Sequence, residues 1–315
     1  VENTLVALGD VVLRLEGIGA FRGVDVYLGQ HPGAADAGLA GAASTSAGTA
    51  AVSDTAIDGE VQVTVAEKEG LFQLQSRVDS STNLEDAMMS AQASIRNVFG
   101  AGESLSASIG FGAKNVRKRA STTTELSATK PCFPFSVDND LTLRAFNRFL
   151  NLHTRSSYGM TLQGAELELV SALGVTTAAL HLRDICELSD DASVAVREDA
   201  GVSFKSSLRH AIGIDERDSV TLPTTGYAAS LDVELAGLSA SSDSRFLRSE
   251  SAAQVHFPFS QVPGMTLSLS GKAGAILSLT ERPVRICDRF FIGGTGSLRG
   301  FRTKGVGPHS GRDSL

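Results

Sequence analysis

A glycine-rich segment near the end of the sequence, residues 292–297, has residue types that could bind an anion or attack a carbonyl. Its backbone amides could hold a phosphate, but the Gly-Lys-Ser/Thr spacing of a P-loop is missing and no apolar helix follows. Ser297 could act as a nucleophile, but Thr295 stands where a nucleophile elbow has glycine, and the six scattered histidines indicate no triad. An ordinary glycine-rich hairpin loop is the third interpretation. The segment alone therefore predicts no catalytic residue.

Three cysteines, Cys132, Cys186 and Cys287, lie far apart in the sequence and are odd in number. Their spacing is neither that of a zinc site nor that of a redox motif, so we predict free thiols or core residues. The pattern predicts no metal and no cofactor.

The charge of the chain argues against nucleic acid as a partner. The formal net charge is −7 at pH 7, the pI is about 5.4, and no basic face stands out. One basic cluster lies beside a glycine and a run of serine and threonine, which is more typical of a solvated loop than of a binding patch. Its members are Lys114, Arg117, Lys118 and Arg119.

Long segments that alternate between apolar and polar residues fill most of the chain after residue 70. In one of them Leu105, Ala107 and Ile109 alternate with serines, and a Gly-Ala-Gly-Glu turn precedes it, as in an antiparallel hairpin. Many segments have ten residues or more, whereas a strand needs about nine to eleven to cross a bilayer. The segments are 71–78, 90–98, 105–111, 123–130, 141–151, 158–170, 174–186, 202–214, 226–238, 245–257 and 264–277. We predict about eleven strands in one continuous antiparallel sheet over residues 71 to about 287, curved as the wall of a transmembrane β-barrel.

Hydropathy is compatible with this prediction. The mean hydropathy is only +0.05, and no run of about eighteen apolar residues exists, which excludes a membrane helix. A membrane barrel keeps a mean near zero because lipid-facing and lumen-facing residues alternate. The aromatic content argues the other way, because the chain has no tryptophan and three tyrosines, whereas membrane barrels carry aromatic girdles. A soluble barrel or sandwich therefore stays open at this point.

The first 68 residues have a different pattern. Apolar residues in 5–15 recur at steps of three and four, which predicts a helix. Valines and a leucine alternate in 24–28 and again in 61–65, which predicts two strands of a hairpin. Residues 31–58 between them are mostly alanine, glycine, serine and threonine, which bury too little apolar surface to offset their ordering entropy. We predict a small α/β unit over 1–68 with a disordered insertion at 31–58, followed by the barrel over 69–315.

The glycine-rich segment extends into a longer motif that resembles a known family. The pattern Phe-x-x-Gly-Gly-x-x-Ser-x-Arg-Gly-Phe, followed by Gly-x-Gly-Pro, resembles the sixth-loop signature of the BamA-like outer-membrane insertase superfamily, whose barrel is the bacterial surface antigen domain. The Gly-x-Gly-Pro tail is most similar to that of the mitochondrial member, the barrel subunit of the sorting and assembly machinery. The matching residues, which we predict to form the functional loop, are Gly293, Gly294, Ser297, Arg299, Gly300, Phe301, Gly305, Gly307 and Pro308.

Earlier parts of the chain agree with this resemblance. Asp215, Arg217, Asp218, Pro223 and Gly226 resemble the family's Asp-x-Arg-Asp…Pro…Gly hairpin. The first 68 residues resemble the C-terminal part of a POTRA domain. The family's barrel has sixteen strands and its signature loop joins strands eleven and twelve. With eleven strands counted before the loop, we expect the chain to stop within or just after it, and both ends to continue in a longer protein.

The resemblance implies a function that needs no bond chemistry and no enzyme activity. The family member inserts β-barrel precursors into the mitochondrial outer membrane, by pairing their strands with a weakly closed seam. In the loop, Gly293, Gly294 and Gly300 would let the backbone fold into a crowded lumen. Arg299 would bind a carboxylate of the inner wall and lock the loop.

The implied partners are unfolded β-barrel precursors, accessory subunits of the assembly machinery and outer-membrane lipid. Three alternatives stay open from the sequence. A plastid or bacterial homologue would act as an insertase or as a protein translocon. A passive diffusion pore would not need the folded loop, and a secreted hydrolase would need catalytic spacings that the sequence does not have.

Overall fold

The computed structural model describes residues 21–30, 59–67, 72–79, 88–100, 102–112, 119–133, 139–259, 264–294, 297–311 and 313–314. Contacts between Cα atoms divide the chain into two compact units, Val1–Leu71 and Phe72–Leu315. The bounds drawn from the sequence, 1–68 and 69–315, and the assignment of the first unit to the POTRA type stay predictions.

In the first unit, two strands form an antiparallel pair, as the alternating valines predict. β1 is Phe21–Gln30 and β2 is Gly59–Glu67. Val26 lies opposite Val63, and Val24 lies opposite Val65. The predicted helix at the start of the chain and the predicted disordered insertion at 31–58 lie outside the described residues.

The second unit contains one antiparallel sheet of eleven strands, in which neighbours in space are neighbours in sequence. The strands are β3 (Phe72–Asp79), β4 (Met88–Arg96), β5 (Ser104–Gly112), β6 (Thr122–Pro131), β7 (Asp140–Asn151), β8 (Gly159–Ser171), β9 (Gly174–Cys186), β10 (Gly201–Asp215), β11 (Gly226–Ala236), β12 (Phe246–Pro258) and β13 (Thr266–Ser278). The predicted number of strands and their antiparallel arrangement are confirmed. The predicted end of the sheet near residue 287 is wrong, because the sheet ends at Ser278.

The two faces of this sheet differ in polarity because successive side chains of a strand point to opposite faces. On β7, β8 and β9 one face carries the leucines Leu143, Leu167 and Leu180, which are each about half exposed. The other face carries charged side chains such as Arg144 and Glu166. A soluble sandwich buries its apolar face against a second sheet, whereas here the apolar face is the exposed one. The soluble sandwich is therefore excluded, and the polar face is the inner face.

Two short helices and a 3-10 helix pack together at one end of the sheet. α1 (His153–Ser156) lies between β7 and β8, α2 (Val194–Glu198) lies between β9 and β10, and the 3-10 helix (Ile286–Asp288) follows β13. None of the helices in the described ranges has the length and apolar character of a membrane span. A small apolar core forms where they meet, and its buried members are Tyr158, Met160, Ile185, Ala192, Val196 and Ile286.

Short strands end the described chain. β14 (His309–Ser310) and β15 (Asp313–Ser314) form a small antiparallel pair. The Asp313 carboxylate is fully buried and accepts a hydrogen bond from the Ser193 backbone N–H at 2.8 Å. The segment after β13 is therefore attached at its far end to the connection that carries α2.

Candidate functional site: a loop held against the inner wall

The segment that follows β13, which we call the inner loop (279–311), is attached to the sheet by a buried carboxylate. Asp288 is 4% exposed. Both of its oxygens lie 2.8 Å from Nη1 of Arg183 on β9, and Oδ1 lies 3.1 Å from Nζ of Lys205 on β10. The loop therefore contributes the anion and the wall contributes two cations.

Further contacts balance these charges. Nζ of Lys205 also lies 2.6 Å from a carboxylate oxygen of Glu234 on β11, and Nη2 of Arg183 donates a hydrogen bond, 2.7 Å long, to the Ser244 hydroxyl. Burial alone would raise the pKa of Asp288, but the positive charges of Arg183 and Lys205 hold that pKa below its usual value. We call Asp288, Arg183, Lys205 and Glu234 the clasp. Its two anions and two cations keep the buried site neutral.

The residues just before the clasp are attached to the connection between β9 and β10. The Ile286 backbone N–H donates to the Asp199 carboxylate at 2.6 Å, and Arg285 donates to the Asp199 backbone carbonyl at 3.3 Å. The Ile286 side chain is buried in the apolar core beside Val196. Hydrogen bonds and packing therefore fix the loop where it leaves the sheet.

Two phenylalanines follow the clasp and pack against cations. The Phe290 ring lies 4.3 Å from the Arg248 guanidinium and covers Gly274 of β13, where an added Cβ would lie 2.7 Å from the ring. The Phe291 ring lies 4.1 Å from Nζ of Lys304. Such cation–π contacts orient the rings in a desolvated site. Gly274 is therefore the position on the wall that lets the loop approach.

At two glycines of the motif, a side chain would collide with other residues of the same loop. Gly293 has a φ of +118°, and an added Cβ would lie 2.3 Å from the Arg302 carbonyl oxygen. Gly294 has a φ of +98°, and an added Cβ would lie 2.9 Å from Oγ1 of Thr303. At Gly300 nothing described lies within 4 Å of the Cβ position, so the crowding expected there stays a prediction. Its φ of +88° gives the reason for glycine there.

Ser297 holds the turn together. Its hydroxyl oxygen accepts a hydrogen bond from the Gly293 backbone N–H at 2.8 Å. Its own backbone N–H donates to the Gly294 carbonyl at 3.2 Å. Thr295 and Gly296 lie outside the described residues. The described contacts of Ser297 are those of a turn residue and include no histidine.

The second half of the motif closes the loop on its first half. The Val306 N–H donates to the Ile292 carbonyl at 3.0 Å, and the Gly305 N–H donates to the Arg302 carbonyl at 2.8 Å. Gly307 has a φ of +119°, and Pro308 beside it is exposed. The loop is therefore a closed structure of its own, with Ile292 and Val306 at its neck.

Arg299 and Phe301, at the tip of the motif, are both exposed. Within the described residues, Arg299 makes no hydrogen bond or ion pair that would lock it to the wall. The lock predicted for Arg299 in the full-length protein stays a prediction. The clasp that the structure does contain has the opposite polarity, with the acid on the loop and the bases on the wall.

Sequence reasoning missed the clasp. Its signal was nevertheless in the sequence, since Arg183 and Lys205 occupy inward positions of strands with many small or apolar residues, and Asp288 lies two residues before the motif. A charge at an inward position of a membrane strand points into the lumen. The sequence does not indicate which of the inward-facing charged side chains form ion pairs with the loop.

More ion pairs line the inner wall. Arg144 on β7 lies 3.1 Å from both Glu125 on β6 and Glu166 on β8, and His181 on β9 lies 3.0 Å from Glu166. A cavity of about 1010 Å³ is lined by residues of β10–β13 and by the loop residues Phe290 and Ile292. Among the described residues, no three histidine, cysteine or acidic side chains come together as metal ligands. The interior is polar and partly filled by the loop.

The hairpin predicted at 215–226 joins β10 and β11. Asp218 accepts hydrogen bonds from the backbone N–H groups of Thr224 and Thr225, at 2.9 and 3.1 Å. The Thr224 hydroxyl and these amides lower the pKa of Asp218 to about 2. Gly226 has a φ of +102°, and an added Cβ would lie 2.1 Å from the Glu216 carbonyl. Pro223 lies in this turn, and Arg217 pairs with Asp215.

The basic cluster lies mostly outside the described residues, which include only Arg119. Its guanidinium lies 4.3 Å from the centre of the Phe149 ring, and its carbonyl accepts a hydrogen bond from Asn151. These contacts belong to the packing of a connection.

One antiparallel sheet with an exposed apolar face, a charged inner face and a loop clasped to that inner face defines the wall of a transmembrane β-barrel with an inward-folded loop. The Omp85 superfamily domain matches residues 97–315, more than half of the chain. The chain therefore belongs to the Omp85 superfamily, as the signature motif predicted.

Curated relatives place it within that superfamily. A SAM50-like protein of Schizosaccharomyces pombe is 34% identical over 82% of this chain and 54% of its own length. The sorting and assembly machinery component 50 homolog of Mus musculus is 38% identical over 42% of this chain and 28% of its own length. The chain thus spans about half or less of the length of these relatives, and it is similar in sequence to them.

A solved structure agrees on the fold. BamA from Haemophilus ducreyi, lacking POTRA domains 1–3, is similar with a TM-score of 0.67 over 96% of this chain and 55% of that one, at 17% identity. At this identity the likeness supports the barrel fold alone. The predicted transmembrane β-barrel is confirmed.

Proposed function

We propose that this chain is part of an insertase that folds β-barrel precursors into the mitochondrial outer membrane by strand templating at a lateral seam. The main observation in support of the proposal is the clasp. It attaches the loop that contains the family's signature motif to the middle of the polar inner wall. Similarity to sorting and assembly machinery proteins supports the location and the client class. The partners are unfolded β-barrel precursors, accessory subunits of the machinery and outer-membrane lipid.

The edge strand β3 is the part that would pair with a client. It has eight residues and, among the described strands, it pairs only with β4. Unpaired backbone groups at a sheet edge are costly in lipid, and an incoming strand satisfies them through main-chain hydrogen bonds. Phe72, Leu74 and Val78 of β3 are exposed on the apolar face. A client strand whose apolar residues continue that face is therefore favoured over one shifted by a single residue.

The clasp gives the wall the rigidity that this process needs. Arg183 and Lys205 lie on adjacent strands, and Asp288 joins both of them to the loop. A fixed central wall allows the edge to open and close without unfolding the sheet. No bond is made or broken, so the proposal needs no catalytic residue and no cofactor, and the chain is not an enzyme.

The test is site-specific cross-linking in isolated mitochondria that carry the full-length protein. Gln75→Cys places a thiol on β3, and Ser127→Cys places one on β6, an interior strand of the sheet. A radiolabelled precursor with a cysteine in its last strand is expected to cross-link to position 75 during assembly and not to position 127. Precursor that assembles at the normal rate without ever contacting position 75 would refute templating at this edge.

A further inference from the structure

One residue of the signature motif has a backbone conformation that its side chain does not favour. Between Gly293 and Pro308, five described residues have a positive φ, and four of them are glycines. The fifth is Lys304, with a φ of +59°. A residue with a Cβ is uncommon in this left-handed region, and such a conformation persists only where the surrounding contacts hold it. The conformation therefore indicates that the lysine side chain has a role at this position.

The side chain of Lys304 attaches the loop to the end of the sheet where the helices pack. Its Nζ donates a hydrogen bond, 3.2 Å long, to the hydroxyl oxygen of Ser156 in α1. Ser156 is only 1% exposed. The same ammonium lies 4.1 Å from the Phe291 ring, which packs against the apolar core that the helices form. A single cation therefore contacts a buried hydroxyl of the wall and an aromatic ring of the loop.

The backbone of Lys304 has a separate set of contacts. Its carbonyl oxygen accepts a hydrogen bond from the Ser314 hydroxyl of β15 and lies 3.2 Å from Nε2 of His309 in β14. A glycine at this position could adopt the same backbone conformation without strain and could keep these contacts. The contacts with Ser156 and Phe291 are thus what a lysine adds.

This attachment involves a different part of the wall from the clasp. The clasp joins Asp288 to Arg183 and Lys205, which lie on β9 and β10. Ser156 instead lies in the connection between β7 and β8. The tip of the motif, residues 298–303, lies between the two attachments in the chain. A segment held at one end only would keep the freedom to turn about that end, whereas two attachments fix its direction.

We propose that Lys304 is a positioning residue that fixes the tip of the inner loop relative to α1, and that client insertion needs the tip in this position. The second part rests on the proposed insertase function. An ammonium suits the role because it can donate to a hydroxyl and lie against the face of an aromatic ring at the same time. Loss of the ammonium would leave the buried Ser156 hydroxyl without this donor.

The test measures the mobility of the tip in the full-length protein in detergent, with a spin label on a single cysteine and all other cysteines replaced. Arg302→Cys places the label at an exposed position of the tip, and Ser241→Cys places it in the β11–β12 connection as a control. Lys304→Met removes the ammonium and keeps the length of the side chain, whereas Lys304→Arg keeps a cation. We expect greater mobility at position 302 in the methionine variant, mobility closer to wild type in the arginine variant, and no change at position 241.

Two further variants separate the side-chain contacts from the backbone strain. Ser156→Ala removes the acceptor and leaves the loop sequence unchanged, so it should raise the mobility at position 302 less than Lys304→Met, and adding it to Lys304→Met should have no further effect. Lys304→Asn introduces a residue that tolerates the left-handed region but is too short to reach Ser156. If the lysine side chain had no role, relief of strain would raise the unfolding temperature of this variant. We expect a lower one.

Unchanged mobility at position 302 in both Lys304→Met and Lys304→Asn would overturn the positioning role. Client assembly in isolated outer membranes is the second measurement, and we expect a lower initial rate for Lys304→Met and recovery for Lys304→Arg. Normal assembly by a variant with a mobile tip would overturn only the part that rests on the insertase proposal, because the mobility of the label does not depend on that function.

Discussion

Nη1 of Arg183 lies 2.8 Å from both carboxylate oxygens of Asp288, a residue 105 positions later in the chain. This contact joins the middle of the wall to the start of the inner loop. Lys205, on the next strand, reaches the same carboxylate at 3.1 Å. A single acidic side chain therefore connects two strands and the loop, and its loss should affect all three.

The first prediction concerns that carboxylate. Asp288→Asn removes the anion and leaves the cations of Arg183 and Lys205 buried with one counter-ion fewer. Breaking a buried ion pair from one side typically costs about 3–5 kcal/mol. We expect the full-length variant to unfold at a lower temperature in detergent and to insert precursors more slowly. Asp190→Asn is the matched control, since Asp190 is exposed in the β9–β10 connection and should change neither measurement.

The second prediction is a pH dependence. The folded-state pKa of Asp288 lies below its usual value, so its ionised form stabilises the fold above the unfolded pKa, and this contribution disappears as the pH falls through the folded pKa. The unfolding temperatures of wild type and Asp288→Asn should differ by a constant amount from pH 8 to about 5, and converge below about pH 4. Other carboxylates titrate in both proteins and cancel in the difference. A gap that is as wide at pH 3 as at pH 7 would contradict the assignment.

The third prediction compares two glycines of the loop. Both Gly293 and Gly300 have positive φ, but among the described residues only the Cβ added at Gly293 would meet the backbone, 2.3 Å from the Arg302 carbonyl oxygen. Gly300→Ala should cost about 1 kcal/mol, the usual penalty of a left-handed residue. Gly293→Ala should cost this amount plus about 1–3 kcal/mol of overpacking. Thermal unfolding of the two variants measures both losses of stability. Equal losses would mean that the loop does not pack around Gly293 as closely as the geometry indicates.

Much of the sheet could be predicted from the sequence because side chains alternate between two faces in a strand and not in a helix, so alternation over ten or more residues favours a strand. The predicted segment 174–186 coincides with β9, and 264–277 differs from β13 by two residues at the start and one at the end. The end of the sheet was predicted too late. Pro283 has no N–H for a further ladder, and the Ser278 hydroxyl donates to the Thr280 carbonyl and ends the strand in a turn.

The functional loop was only half predictable. Its glycines could be foreseen because a motif of that kind predicts tight backbone turns near a wall. The clasp could not be predicted, because it depends on the register of β9 against β10 and on where the loop returns to these strands. Lys205 lies opposite His181 in the β9–β10 pair, and Arg183 lies opposite Ser203, so the two cations are diagonal neighbours. Alternation fixes which face each cation is on, but not which two will share the Asp288 carboxylate.

The last prediction concerns Arg299, which is exposed in the described structure. In the full-length protein we expect it to bind a carboxylate of the inner wall. A planar guanidinium can bind such a carboxylate through two parallel hydrogen bonds, and a lysine ammonium cannot. Arg299→Lys should therefore retain part of the activity that Arg299→Ala loses.

Isolated outer membranes that carry full-length variants provide the measurement. Arg299→Ala should destabilise the barrel by about 3–5 kcal/mol, since the carboxylate partner would be left buried without its cation, and should slow the assembly of client barrels. Arg302→Ala is the matched control, because Arg302 is an exposed arginine three residues further along the same loop. The effects of Arg299→Ala and Asp288→Asn on stability and assembly should be compared. The clasp attaches the start of the loop to the wall, whereas Arg299 would attach its tip. Normal client assembly by Arg299→Ala would show that the clasp alone holds the loop, and the lock at the tip would be wrong.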